Sequence, residues 1–418
     1  MSQARPGGEA GGGQGDGPWA SLLSPEALAD PYSALAALRE EHGPVCWSGR
    51  HRAWLLTSFA EVAGGYRDDR LSSDRVGAIA RHLDAAGREA MAPTLELLRG
   101  WMVFRDEPDH TRLRDPVRWA FTPKAVEGLR AQVQALVDEL VDGVVEAGTC
   151  DLVAAFAFPL PAMVIAHLLG VPAADREKFG TWSRKLAAVV FGAGDDPERR
   201  ALATEASTEF TGYFRWLVAQ REAEPGEDLV SALVAAQGDD GLSAGELAGA
   251  CTLLLFAGHE TTADLLANGT VALERHPGQL DRLRRDPGLW TMAVEEILRY
   301  DAPTKVQVRV VTRDHERSGR RLGAGDMVYL CLAAANRDPV EFPDPDRFDV
   351  GRDPRQHIAF GLGPHHCLGA PLARLEGQIG LRTLFERCAS IEIAGDLTYE
   401  ALIASRSLTA LPVTATPA

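Results

Sequence analysis

Lysine is almost missing from this 418-residue chain: of its 43 basic residues only four are lysine. Acidic residues number 59, leaving a formal charge of −16. The positive field needed for non-specific nucleic-acid or anionic-membrane binding is therefore absent. There is no CxxC pair. The six cysteines, at positions 46, 150, 251, 331, 367 and 388, follow no regular spacing. That excludes a disulfide framework and a closed zinc site, and it points to a reducing cytoplasm. The opening MSQARPGGEAGGGQGDG holds seven glycines and no apolar signal core. Residues 1–18 read as a disordered tail ahead of the folded part, 19–418. One stretch imitates a membrane span, LVAAFAFPLPAMVIAHLLGVP at 152–172. Pro159 and Pro161 break any helix there and His167 interrupts the run, so it reads as buried core in a soluble protein.

What is present is an ordinary globular composition, 45% apolar and 24% charged, whose length alone allows two or three domains. Helical periodicity dominates. Apolar positions recur at three- and four-residue spacing over 124–147. Ser243 and Glu246 form an S-x-x-E capping box at the head of a helix over 243–274, and a further helix is expected over 287–300. Strands are expected at 306–312 and 327–335. The breaks at 193–200, 222–229 and 237–241 read as loops between helices. The sum is a mainly α protein with a minor β portion.

The densest chemistry lies in FGLGPHHCLG, residues 360–369. His365, His366 and Cys367 are adjacent and cannot all converge on one tetrahedral ion. A dinucleotide fingerprint needs a third glycine where His366 stands, and a phosphate loop needs Gly-Lys-Ser/Thr, which does not occur. There remains one thiolate facing an iron. A strong helix pattern with Pro371 near its start follows Cys367, so the sulfur sits at a helix N-terminus, where dipole and free N–H groups favour the thiolate. Gly361, Gly363 and Gly369 let the backbone approach a flat macrocycle, with amides near Gly369 in reach of the sulfur.

The spacing of Phe360, Gly363, His365, Cys367 and Gly369 resembles the haem-binding signature of the cytochrome P-450 family. The resemblance spans about 28–413 and implies a single triangular, mainly α domain, with haem b held between a long central helix and the helix after the cysteine. A second motif agrees. AGHETT, 257–262, places four polar residues inside a very apolar helix, and Gly258 there costs on the order of 1 kcal/mol. Ala257 and Gly258 make room for a ligand, and Thr261 can bond back to the Ala257 carbonyl and open the helix. The resemblance implies an oxygen-binding groove here, with Thr261 holding the iron-bound oxygen species and Glu260 relaying protons. The metalloprotease reading HExxH fails, because position 263 is alanine.

By the same resemblance His110, Arg114, Arg309 and His365 contact the haem propionates, and Cys367 is the metal ligand. Glu296, Arg299 and Arg347 would form a buried structural triad. Substrate-lining segments map to 74–102, 174–195, 250–258, 303–308 and 403–408; Leu95, Leu98, Trp101 and Met102 suit a large apolar ligand or simply close the core. Lys305, conspicuous among four lysines, either meets a carboxylate or polyoxygenated part of the substrate or snorkels to water. His357 and His366 read as loop packing.

The implied activity is a cytoplasmic, monomeric haem-thiolate monooxygenase that hydroxylates or epoxidises an apolar small molecule in natural-product tailoring. Ferredoxin and its reductase would supply the electrons, with Arg105, Arg112, Arg118 and Lys124 as a docking patch. The alternatives are a non-insertion oxidation on the same haem (aryl coupling, desaturation or peroxide-driven chemistry) and a non-catalytic haem carrier or gas sensor.

Overall fold

The computed structural model describes residues 22–190, 197–236, 242–353 and 356–418. The proposed tail at 1–18, part of the loop at 193–200 and the loop at 237–241 lie outside them. A 32-residue helix, Ala244–Arg275, runs through the largest apolar cluster. At ~1.5 Å per residue it is about 48 Å long. Ser243 caps it: its hydroxyl accepts from the Glu246 amide, and the Glu246 carboxylate accepts from the Ser243 N–H. This central helix packs against Pro159–Leu168, Pro197–Ala223, Trp290–Tyr300 and the helix after the cysteine, Ala370–Arg387.

The β portion sits to one side. Five strands pair in the order Val45–Ser48, Ala53–Leu56, Met327–Cys331, Val306–Val311, Leu71–Ser72, with only the second and third parallel. A smaller antiparallel sheet joins Thr149–Asp151, Pro412–Pro417 and Cys388–Ile393. Two lesser apolar clusters bind the larger sheet to its neighbours.

Several local expectations shift. The helix over 124–147 is two, Pro123–Glu127 and Arg130–Ala147, because the chain turns at Gly128, whose N–H closes on Ala125 O at 3.1 Å. The strand at 327–335 stops at Cys331, and Leu332–Ala335 form a buried helical turn. At 152–172 the core reading holds, with Leu160, Val164 and Ile165 buried. The prolines, however, start a helix at Pro159 instead of breaking one, since the first turn needs no N–H from that position. His167 faces outward.

The ion-pair cluster below the cysteine loop is built differently from the expected triad. Glu296 and Arg299 are fully buried and bidentate, at 2.7 and 2.9 Å. The second arginine on Glu296 is Arg352, at 3.3 Å, not Arg347. Arg347 turns its guanidinium outward to Asp349 (3.0 Å) and offers only its backbone carbonyl to Arg299 and Arg352. The turn through 344–347 points carbonyls inward, where Arg299 and Arg352 donate to them.

Candidate active site

The cysteine loop is shaped by two left-handed glycines. Gly361 and Gly363 both have φ of +69°, a conformation costly for any residue with a Cβ. A Cβ on Gly361 would also press on the Tyr66 ring at 3.3 Å. The loop closes through Cys367 N–H to Phe360 O at 2.9 Å. Cys367 thus lies just ahead of helix Ala370–Arg387, whose N-cap is Gly369, and its thiol opens into a cavity. Burial pushes the Cys367 thiol up, although amides at the helix start favour the thiolate, as the sequence expectation has it. The Gly369 and Ala370 amides, with Arg114 and Arg374, pull the other way without prevailing. A metal cation held by the sulfur would supply the missing charge, since coordinating thiols lose their proton.

The cavity encloses roughly 1700 Å³ of empty space including its mouth. Cys367, Phe360, Gly369, Leu368 and Leu372 form the cysteine side, and Leu253, Leu254, Ala257, Gly258 and Thr261 come from the central helix. Thr261 Oγ1 donates to Ala257 O at 3.1 Å, as its spacing predicts. Gly258 is needed for close approach, because a Cβ there would stand 3.1 Å from Ile165 Cγ1. Glu260 lies outside the lining. Burial first, then the nearby Glu400 charge, push its carboxyl up to about 8, while Arg184 opposes them. It is therefore protonated at neutral pH, next in sequence to the hydroxyl that faces the cavity.

The polar end of the cavity gathers arginines and a histidine, His365, and burial and the Arg309 charge push that imidazole down to about 3. Arg114, Arg309 and His365 line it. His110 is buried with its ring 4.1 Å from that of His365, and its Nε2 has no partner. Arg114 also donates to the His366 carbonyl at 2.7 Å, holding the cysteine loop. Of the residues singled out for cofactor contact, only His110 and Gly361 lie outside the lining: His110 stands behind His365, and Gly361 shapes the loop. Sequence reasoning missed Arg75, which lines this end, and Glu376, a fully buried acid on the cavity wall with both oxygens unpartnered. Neither carries a motif; Arg75 falls in the segment 74–102, which stood out only for its apolar residues, and Glu376 in the helix after the cysteine, which stood out only for its periodicity.

Every segment proposed to line a substrate pocket contributes, through Arg75, Trp101 and Met102, Val190, Leu253 and Phe256 to Gly258, Thr304 and Val306 to Val308, and Ala404. Leu95 and Leu98 do not; they are core. Lys305 meets neither of its expectations. It is 4% exposed, so it does not snorkel, and it lies outside the lining. Thr304 pairs with Ser405 across a β-bridge and the Lys305 N–H donates to Ala404 O at 2.7 Å, while the Lys305 side chain packs away from the cavity. There it lies within reach of Asp301, Asp264 and Arg406. His357 is buried and bonded to Glu295 at 3.0 Å, which also takes Arg374 at 2.6 Å.

This donor set fits a haem. Among the described residues no three His, Cys, Asp or Glu side chains converge as a metal cage, yet one sulfur opens into an apolar slot. The slot is edged by cations lacking counter-ions, which suits a macrocycle bearing two carboxylates. Comparison with known proteins agrees. Residues 288–395 match the cytochrome P-450 family model. The monooxygenase PikC of Streptomyces venezuelae is 42% identical over 94% of this chain and 92% of its own. The 6-deoxyerythronolide B hydroxylase of Saccharopolyspora erythraea is 40% identical over 94% and 98%. The chain belongs to the cytochrome P-450 family.

The fold of this P-450 agrees closely with solved ones. The crystal structure of P-450BioI, in complex with hexadec-9Z-enoic acid ligated acyl carrier protein, superposes with a TM-score of 0.87 at 36% identity, covering 93% of this chain and all of that one. The protein is an oxidoreductase of the monooxygenase class and haem is its cofactor. No helix among the described residues is long and apolar enough to cross a membrane.

Proposed function

We propose that this P-450 inserts one oxygen atom, by hydroxylation or epoxidation, into an apolar small molecule of the natural-product kind. The observation that carries the reading is one apolar cavity shared by the Cys367 thiol and the Thr261 hydroxyl. When bound, haem would supply dioxygen activation, helped by electron density from the Cys367 thiolate. The residues do the rest. Cys367 would ligate the iron; Ala257 and Gly258 leave room on the central-helix side; Phe360, Gly361 and Gly369 shape the loop around the sulfur. Arg114, Arg309, His110 and His365 hold the carboxylate edge. Thr261 presents a hydroxyl on the cavity side, and Glu260, neutral and behind it, holds the proton that oxygen chemistry consumes. A neutral substrate suits walls built from Trp101, Met102, Val190, Leu253 and Val306, and the relative named for 6-deoxyerythronolide B hydroxylation supports a carbon-rich one.

Electrons are proposed to come from a ferredoxin docking on the cysteine side. Helix Pro123–Glu127 packs there against Ala370–Arg387 and carries the exposed Lys124, next to Trp119, which is 52% exposed. Arg105, Arg112 and Arg118 contribute less, each being already paired with an acid.

Isotope labelling tests the insertion reading. With a ligand chosen by spin-shift titration and a reconstituted ferredoxin chain, labelled dioxygen should leave one labelled atom in the product. A product without label would instead mean desaturation or coupling on the same haem.

Glu260 predicts a pH profile. Its carboxyl is protonated below about 8 in the folded protein, so the fraction of electrons recovered in product should fall as pH rises through that value. Glu260→Gln should flatten the profile while lowering coupling; general acid–base contributions of ~10²–10⁴-fold bound the loss from above. The stability sign is consistent. A carboxyl raised on folding leaves stability intact below its unfolded value, and that stability falls as pH climbs to about 8.

A further inference from the structure

Arg75 is a cavity cation without a counter-ion. It immediately precedes helix Val76–His82, in the segment that lines the substrate side. Its backbone is engaged: the N–H donates to Ser73 O and the carbonyl accepts from Ile79 N, both at 2.9 Å. Its guanidinium lies 4.6 Å from the centroid of the Phe104 ring. Among the described residues, no carboxylate or carbonyl accepts a hydrogen bond from that guanidinium. Arg309 is little better served, with one bond to Val308 O at 3.0 Å and the Tyr66 ring 5.5 Å away. Asp106 is the acid within reach of Arg309, but it already accepts from the Ser72 hydroxyl and, at 2.8 Å, from the Ser73 amide.

Two guanidiniums thus face one cavity with nothing negative between them. Burial disfavours both charges, and the nearby Arg309 charge adds to the cost at Arg75; a shared anion offsets both. The planar fork of arginine suits a carboxylate, which can accept two N–H bonds from each side. The neighbouring chain points the same way. Ser73 Oγ lies 3.1 Å from His365 Nε2, so the loop carrying Arg75 is already seated on the cysteine loop.

We propose that Arg75 and Arg309 clamp one haem carboxylate between them, Arg75 from the head of helix Val76–His82 and Arg309 from strand Val306–Val311. This rests on the haem reading above. It makes the cofactor itself a tie between the sheet and the segment that lines the substrate side. The rival occupant is an anionic group on the substrate.

Haem loss from the ferric holoprotein to excess apomyoglobin, together with the midpoint potential of the substrate-free protein, tests this. Arg75→Met should release haem about tenfold faster, the effect of losing one charge-assisted bond. It should also lower the potential, because a cation at the carboxylate favours the reduced haem. Arg75→Lys should restore the potential but only part of the retention, since an ammonium cannot form the fork. A structural role alone would move retention in both variants and leave the potential unchanged. Wild-type release and potential in Arg75→Met would overturn the clamp. So would a variant that keeps its haem but loses the spin shift induced by dodecanoate, which assigns Arg75 to substrate. Failure of the wild type to show a red-shifted CO band would sink the haem-thiolate reading itself, a result independent of Arg75.

Discussion

Cys367→Ser should abolish the red-shifted Soret band of the reduced, CO-bound protein and all monooxygenation, while haem can remain in the cavity. Among the described residues the Cys367 sulfur is the one thiol that opens into the apolar slot. Its replacement keeps the loop bond from residue 367 N–H to Phe360 O and exchanges only the ligand atom. A serine oxygen is a weak donor to iron and does not push electron density toward O–O cleavage. The spectrum is decisive without any known substrate. A wild-type protein whose CO complex absorbs where histidine-ligated haem does would refute thiolate ligation, and with it the monooxygenase site as described.

Glu296→Ala should cost about 3–5 kcal/mol, because it strips a buried carboxylate from Arg299 and Arg352 and leaves cations without compensation. Against a typical stability of ~5–15 kcal/mol, that is enough to compromise folding and haem retention. Denaturant unfolding followed at the Soret band measures it. The arrangement also separates two arginines. Arg347→Ala should stay within about 0.5 kcal/mol, as exposed substitutions do. Arg352→Ala should cost roughly 1–3 kcal/mol through lost bonds to Glu296 and to the Pro343 and Asp344 carbonyls. Equal effects of the two would return Arg347 to the core of the cluster.

Legibility in the sequence followed the range of the interaction. The capping box at Ser243 and Glu246, the Thr261-to-Ala257 bond and the cysteine's place before its helix are contacts over three or four residues, and spacing alone placed them. Prolines were misread at 159 and 161 because the same residue that ends a helix interior opens a first turn, and only the boundary tells them apart. The family resemblance points to Arg347 where the structure places Arg352, because nothing local reveals which side chain a turn directs inward.

By itself the sequence determined the chemistry. One cysteine in a glycine-shaped loop, and a small-residue and acid–alcohol step in a long apolar helix, are enough to name the haem-thiolate family. The tertiary structure decided the electrostatics and the pocket. It put Lys305 behind the cavity wall, Arg75 and Glu376 onto it, and raised the Glu260 carboxyl to about 8. Those outcomes depend on burial and on charges from distant segments, Glu400 and Arg184 on Glu260, Arg309 beside Arg75. Their strength is set by the low dielectric that only the assembled core creates.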